Sequence, residues 1–424
     1  MIAVIGLGKV GLPLVAAIVQ ANYKVLGIDN NKKLVQELVN GINNCPEKKV
    51  TRIVKKNNSN IQFNSDFRSC KKISIFFLIV PTPSNLDNSF ANTYVINAIK
   101  NILKYSKKKK IYILLNSTLS PGSIDKIITP CIKKNKKKGS TVEFIYNPLF
   151  IALGNVFEGI TNPMSVLLGY NKINFPKNIY NIFSKILKRK KINFFYLSYK
   201  EAEIAKLVSN CIDTTRVSFA NLIGLICNDS KNANSDKINF FLNSRVSNRI
   251  NHAGTPYGGP CWPRDNRALA FSMKKKLNNF NLIPNSVHKF NDLYTSYLIK
   301  KTATIIKKKN KIILFGIGYK NGTDEIVESF SYKLFKFLKN KKKIIKVFNE
   351  NKNHSNKNIF NDANIEYFDH SNKKNLLNFQ VIILAHRKLF INFNTFKKLL
   401  KKNIIIVDYW RLYDYRHANY YTFG

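Results

Sequence analysis

Residues 1–29 read MIAVIGLGKVGLPLVAAIVQANYKVLGID, and this opening decides the fold. Met1–Ile5 is a short apolar run suited to a buried parallel strand. Gly6-Leu7-Gly8-Lys9-Val10-Gly11 follows, and an apolar, alanine-containing stretch from Leu12 to Ala21 predicts a helix. Tyr23–Ile28 reads as a second strand, ending on Asp29. In such a unit Gly6 permits the tight turn, Gly8 lets the backbone approach a pyrophosphate, and Gly11 lets the helix pack on the strand. Lys9 and Val10 complete the turn, and the first N–H groups of the helix face the phosphates. A lone GxGxxG is a weak signal. Here it follows a strand, opens a helix and has an acid about 20 residues later at a strand end, which is the full context required. The Asp29 carboxylate can accept hydrogen bonds from an adenosine ribose and repels a 2′-phosphate, which predicts NAD rather than NADP.

Beyond this unit, strand candidates recur at Ile73–Val80, Ile111–Leu115, Val142–Tyr146 and Val166–Leu168, with helical stretches between most of them. Strands alternating with helices predict a parallel α/β sheet. The rhythm changes near residue 200. From Glu201 to about Cys227 apolar residues step by three and four, as at Ala202, Ala205, Val208 and Cys211, so one long helix is expected. Segment 254–265, with three glycines and three prolines, predicts a shaped loop. The alternation restarts at Lys311–Phe315 and continues through Ile344–Phe348, Val381–Leu384 and Ile404–Val407. The expected order is α/β, helical connector, α/β.

A chain of 424 residues suits two or three domains. Its 45% hydrophobic and 12% aromatic content supplies packed interiors and excludes a mainly disordered chain. Lys and Arg number 70 against 24 Asp and Glu, a formal net charge of +46. The lysines are spread in short runs such as Lys107–Lys110 and Lys341–Lys343, with abundant Asn, Ile, Phe and Tyr that share A/T-rich codons. We read the basicity as a composition signature and expect no nucleic-acid partner, since a basic arm or recognition motif is missing. The cysteines Cys45, Cys70, Cys131, Cys211, Cys227 and Cys261 are scattered, with no CxxC and no Cys/His cluster. Neither a disulfide framework nor a metal site is expected, and a reducing cytoplasm fits. Met1–Val19 carries no basic leader and Lys9 interrupts its apolar run. No later segment approaches the roughly 20 apolar residues of a spanning helix, so a soluble protein is expected.

The second constellation is Gly254-Thr255-Pro256-Tyr257-Gly258-Gly259-Pro260-Cys261-Trp262-Pro263-Arg264-Asp265. A cysteine held in a glycine/proline loop, with Arg264 and Asp265 close behind, can serve as a nucleophile. Most cysteines are simply small buried hydrophobes, so the loop alone does not decide the matter. Its company does. GLGKVGLPLV, Pro81-Thr82-Pro83, Ser117-Thr118 before Pro121-Gly122, and Asn147-Pro148 are followed by Ala202-Glu203 with Lys206 and Asn210. The GGPCWPRD loop comes next, then Gly316-Ile317-Gly318-Tyr319-Lys320, Thr323-Asp324 and Glu328-Ser329. Together and nearly end to end, these resemble the UDP-glucose/GDP-mannose dehydrogenase family.

The resemblance implies two Rossmann-like parallel-sheet domains joined by a long central helix. The cofactor domain would span 1–198, a helical dimerisation region with the cysteine loop 199–298, and a UDP-sugar-binding domain 299–424. It implies NAD-dependent oxidation of the C6 alcohol of a nucleotide sugar, UDP-glucose or a UDP-N-acetylhexosamine, to the uronic acid for surface-glycan synthesis. It also implies a homodimer through the long helix. Cys261 would form a thiohemiacetal and then a thioester, working beside the nicotinamide. Lys206 would stabilise the alkoxide, Asn210 would donate a further hydrogen bond, and Asp265 with Thr118 would position a water. Pro81, Thr82, Thr118 and Arg264 would join the cofactor site. Asn147, Lys206, Asn210, Arg249, Gly254, Tyr257, Gly258, Gly259 and Lys320 would hold the sugar nucleotide.

The chain departs from the pattern at Leu149 and Leu153, where family members commonly carry glutamates, and at Val327, where an arginine is frequent. Arg264 replaces a lysine, keeping the charge and changing its shape. Two other readings stay open. A two-electron hydroxyacid-type dehydrogenase would explain the glycine turn and Asp29 but leave the cysteine loop idle. A catalytically impaired NAD- and UDP-sugar-binding homologue would explain Leu149 and Leu153.

Overall fold

The structure is a computed structural model that describes residues 1–424 except 44, 190–191, 230–232, 246–251, 278–280, 324, 349–365, 368–372 and 424. The chain divides into two units, Met1–Val208 and Ser209–Gly424.

The first unit is built on eight strands: β1 Ile2–Ile5, β2 Val25–Ile28, β3 Ile61–Asn64, β4 Ile75–Leu78, β5 Lys110–Leu115, β6 Thr141–Tyr146, β7 Ser165–Gly169 and β8 Asn193–Leu197. Their order is β3-β2-β1-β4-β5-β6-β7-β8. The order reverses between β1 and β4, the switch point at which doubly wound sheets bind ligands. Pairing from β3 through β6 is parallel. β7 meets β6 antiparallel through one pair, Tyr146 with Gly169, and β8 then runs parallel to β7. β1 and β2 are buried throughout and β4 from Phe76 to Leu78, as continuous apolar runs require of strands covered on both faces. The helix Gly11–Gln20 buries all but its last residue against one face, while Val95, Ile99 and Ile102 of the helix Thr93–Tyr105 cover the other. Each fully buried aliphatic side chain contributes about 1.5–3 kcal/mol before its entropy cost.

A single helix, Tyr199–Asp229, carries the chain out of the first unit, as the three- and four-residue steps predicted. The second unit then runs through the helices Ser235–Arg245, Trp262–Leu277 and Leu282–Ile305 into a second sheet. Its strands are β9 Lys311–Phe315, β10 Ile344–Phe348, β11 Glu366–Tyr367, β12 Val381–Leu384, β13 Ile405–Asp408 and β14 Tyr420–Thr422, in the order β11-β10-β9-β12-β13-β14. All its pairings are parallel. This is the α/β, helical connector, α/β order expected. Among the described residues, no helix is long and apolar enough to cross a membrane.

One sequence expectation is corrected locally. The segment 254–265 is not loop throughout: the loop ends at Cys261, and Trp262–Leu277 is helical. Pro263 is tolerated because the first helical turn needs no N–H partner, and Asp265 is favoured there by the positive end of the helix. Arg264 and Asp265 therefore project from a helix.

Candidate active site

The cofactor turn lies at the carboxyl end of β1. Gly6 adopts φ +93°, the left-handed region open to glycine, and its N–H donates to Ile28 O at 2.8 Å. A Cβ at Gly6 would collide with Ile79 O, and one at Gly11 would collide with Gly6 O. A Cβ at Gly8 would meet nothing. Two glycines are thus consumed by packing, and the third stands open on the outer side of the turn, where a pyrophosphate needs room. Lys9 is exposed and Val10 half-buried beside it. At the end of β2 both oxygens of Asp29 are fixed: Leu7 N–H donates to Oδ2 at 2.7 Å and Asn31 N–H to Oδ1 at 2.9 Å. Each carboxylate oxygen keeps a lone pair for a ribose hydroxyl. The turn fits a dinucleotide.

The ends of β4 and β5 are knitted together at the same edge. Ser117 Oγ donates to Val80 O at 2.7 Å and accepts from Val80 N–H at 3.1 Å. Thr82 Oγ1 donates to Thr118 O at 2.9 Å, so Pro81-Thr82 and Ser117-Thr118 form one shelf. Asn147, expected at the substrate, is buried with its side chain turned inward: Nδ2 donates to Leu167 O at 3.1 Å and Oδ1 accepts from Asn116 Nδ2 at 2.9 Å. It ties the ends of β5 and β6 to the middle of β7.

The loop that follows positions Lys206. Its ammonium donates to Leu149 O at 2.9 Å and lies 4.6 Å from the Phe150 ring centroid. Leu149, Ile151 and Leu153 pack against the core of the first unit, which accounts physically for leucine at both departures. Glu203, one turn earlier on the same helix and fully buried, accepts from Gly122 N–H and, at 2.8 Å, from Ile124 N–H. Sequence reading assigned Glu203 no role. Its carboxylate ties the central helix to the segment after Thr118.

In the second unit, the glycines of the cysteine loop are explained by what they touch. Gly254 lies on the Trp410 ring, donates to Asn221 Oδ1 at 2.9 Å and accepts from Tyr294 OH at 2.9 Å. A Cβ at Gly258 would strike Glu328 O, and Gly259, with φ +87°, lies against the Tyr319 ring. Gly259 N–H donates to Val327 O at 3.0 Å. Buried Tyr257 is held through its backbone by the Asn291 side chain, 3.0 Å in each direction, and its hydroxyl accepts from Asn266 Nδ2 at 3.1 Å.

Cys261 follows directly, exposed, at the amino end of a helix. It is the exposed member of the six cysteines. Burial pushes the Cys70 and Cys211 thiols up to about 12, and Cys45 to about 11, which keeps them protonated and inert. One helical turn beyond Cys261, Asp265 is fully buried. Its N–H donates to Cys261 O at 2.8 Å, and its carboxylate accepts from Asn210 Nδ2 at 2.6 Å and from Arg264 Nε at 3.2 Å. The structure thus brings Asn210, Asp265 and Arg264 together. Lys206 and Asn210 stand four residues apart on one continuous helix, hence on one face. Lys320 is half-buried over the Tyr319 ring, and burial lowers its ammonium below the ordinary lysine value. Arg249 lies outside the described residues.

Comparison with known proteins identifies the family. The NAD binding domain of the UDP-glucose/GDP-mannose dehydrogenase family matches residues 1–187, and the central domain of that family matches residues 200–292. A UDP-glucose 6-dehydrogenase of Rickettsia typhi is 26% identical over 378 residues, covering 84% of either chain. A UDP-glucose dehydrogenase from Pyrobaculum islandicum superposes with a TM-score of 0.82 at 19% identity, over 100% of this chain and 96% of that one. A UDP-D-ManNAc dehydrogenase from Pyrococcus horikoshii superposes with a TM-score of 0.81 at 18% identity, over 99% and 98% of the two chains. These two likenesses concern the fold. With family matches on both sides of the central helix's start, and with a cofactor turn and cysteine loop built as described, the chain belongs to the NAD-dependent UDP-glucose/GDP-mannose dehydrogenase family.

Proposed function

We propose that this chain oxidises the C6 primary alcohol of a UDP-hexose or UDP-N-acetylhexosamine to a carboxylate, with Cys261 as covalent nucleophile. The observation that carries the reading is an exposed thiol at the head of a helix, one turn from a buried carboxylate that Asn210 and Arg264 hold in place. NAD, when bound, accepts one hydride, so two NAD molecules bound in turn would take up the two hydrides of one sugar. Loss of the hydroxyl proton and the first C6 hydride leaves an aldehyde. The Cys261 thiolate adds to that carbonyl carbon, forming a C–S bond and an oxyanion, and Lys206 and Asn210 supply positive charge and a hydrogen bond to it. Loss of the second hydride leaves a thioester. Water positioned by Asp265 and Thr118 cleaves the C–S bond, returning the thiolate and releasing the acid. Per sugar, one alcohol and one water become one carboxylate, with two hydrides and three protons released.

On this reading residues 1–198 hold the cofactor, 199–298 carry the thiol and the dimer contact, and 299–424 take the UDP-sugar through Lys320. Gly254, Tyr257, Gly258, Gly259 and Arg249 would line the substrate side. The exposed apolar residues Ile212, Phe219 and Ile226 recur every seven positions on the central helix, which supports a homodimer through that face. Six scattered cysteines that form no disulfide support a cytoplasmic enzyme.

The test is NADH release against a panel of UDP- and GDP-hexoses, with the product weighed by mass spectrometry. Two NADH per sugar and a gain of a carboxylate are expected. Cys261→Ser should stop after the first oxidation with its fold intact, and a Cys261→Ser enzyme as active as the parent would refute the covalent step. Leu149 and Leu153, packed where carboxylates are common in the family, favour one alternative, a binding homologue without turnover. Tight UDP-sugar and NAD binding with no NADH formed would decide for it.

A further inference from the structure

The turn that holds the cysteine loop contains a residue whose backbone and side chain are at odds. Glu328 adopts φ +53°, the left-handed region that glycine and asparagine favour and long side chains avoid. Its neighbours explain why the conformation persists. Its Oε2 pairs with Lys333 Nζ at 2.7 Å on the following helix, Phe330–Asn340. Its Oε1 faces Arg267 Nη1 at 3.5 Å, and Arg267 belongs to the helix headed by Cys261. Arg267 Nη1 also faces His288 Nε2, at 3.3 Å on the helix Leu282–Ile305. Burial holds His288 below the usual histidine range, and since Arg267 can only donate, a hydrogen bond between them requires Nε2 as the acceptor. Next along the chain, Ser329 is buried; it donates to Ile317 O at 2.8 Å and caps the helix by accepting from Tyr332 N–H.

The backbone consequence falls on the loop. In this conformation the Val327 carbonyl receives the Gly259 N–H at 3.0 Å, and the Glu328 carbonyl fills the space a Gly258 side chain would need. Two consecutive carbonyls of one strained turn therefore clamp the Gly258-Gly259 pair, and Cys261 comes two residues later. A glycine would form this turn without strain. A glutamate adds one thing a glycine lacks, a carboxylate tied to Arg267 on the cysteine's own helix. Strain held by surrounding contacts beside an active residue is the usual mark of function.

We propose that Glu328 is a positioning residue: its carboxylate, shared between Lys333 and Arg267, locks the 327–328 turn and so fixes the direction in which the Cys261 thiol points. The role rests on Cys261 being the nucleophile, but the clamp itself can be read without turnover. Glu328→Gly keeps the left-handed turn and loses the carboxylate, and Glu328→Gln keeps the shape and loses the charge. In both, kcat should fall about tenfold with KM for NAD within twofold of the parent, as a misdirected nucleophile predicts. The rate of Cys261 alkylation by iodoacetamide, followed by peptide mass spectrometry on the folded enzyme, should change at least threefold. Arg267→Met should reproduce the effect, and the double variant Glu328→Gln/Arg267→Met should be no slower than either single one. Parent-like kcat and alkylation rates in both Glu328 variants would overturn the proposal. If Cys261→Ser keeps full activity, the nucleophile reading falls separately, while the alkylation rates still decide whether Glu328 sets the loop.

Discussion

At the scale of single residues, the cofactor turn separates glycines consumed by packing from one that packing leaves open. Gly11 has the Gly6 carbonyl where its Cβ would be, and that obstacle is backbone, so it cannot swing aside. Gly11→Ala should cost about 2 kcal/mol or more in urea unfolding, as overpacking does. Gly8 has open space in the same direction. Gly8→Ala should leave unfolding unchanged within about 0.5 kcal/mol, yet weaken NAD binding at least tenfold by calorimetric titration, about 1.4 kcal/mol. Equal NAD affinity in Gly8→Ala and the parent would remove the phosphate from that side of the turn.

At the scale of elements, two carboxylates join segments distant in sequence. Glu203 ties the central helix to the N–H groups of Gly122 and Ile124 from a fully buried position. Glu203→Gln puts an NH2 group against one of those donors and should cost about 3 kcal/mol by denaturant titration. A loss within experimental error would show that water replaces the carboxylate. Asp236, on the helix Ser235–Arg245, pairs with Arg411 at 2.8 Å and with His252 at 3.0 Å. Burial opposes its ionisation, but bonds to Arg411 and His252 prevail and hold the carboxyl below its ordinary value. A depressed folded-state pKa stabilises the protein above the unfolded carboxylate range, near pH 4, and that contribution fades as pH falls through the folded value. Thermal midpoints of the parent should therefore drop more steeply below about pH 4 than those of Asp236→Asn. Parallel pH profiles would show that this ion pair contributes nothing.

At the scale of the whole molecule, a net charge of +46 has consequences whatever its codon origin. Both NAD and a UDP-sugar are anions, so a strongly positive protein draws them in at long range, and salt screens that attraction over about 10 Å at 0.1 M. Raising salt from about 0.05 to 0.5 M should lower kcat/KM at least threefold with kcat unchanged, and should raise the thermal midpoint by relieving self-repulsion. A flat kcat/KM against salt would show that the lysines face away from the approach path.

The sequence by itself determined the first βαβ unit, the two α/β regions and the long helix between them, because buried strands and amphipathic helices write their periods into local stretches. It also drew attention to Asp29, Cys261 and Asp265 through their places after a glycine turn and in a glycine/proline loop, whereas Lys206 and Asn210, residue types abundant in this chain, stand out only through the resemblance to the family. Strands β3, β8, β11 and β14 were not legible: β8 is mostly exposed, and an edge strand exists because a neighbouring strand pairs with it. The resemblance places Asn147 at the sugar, and only the structure shows that its amide bonds Asn116 and Leu167, partners 31 and 20 residues away. The start of a helix at Trp262, the tie from Glu203 to Gly122 and Ile124 and the left-handed Glu328 were likewise decided only in three dimensions. Each depends on a partner brought close by the fold, and a hydrogen bond or steric contact between distant segments leaves no periodic trace in the chain.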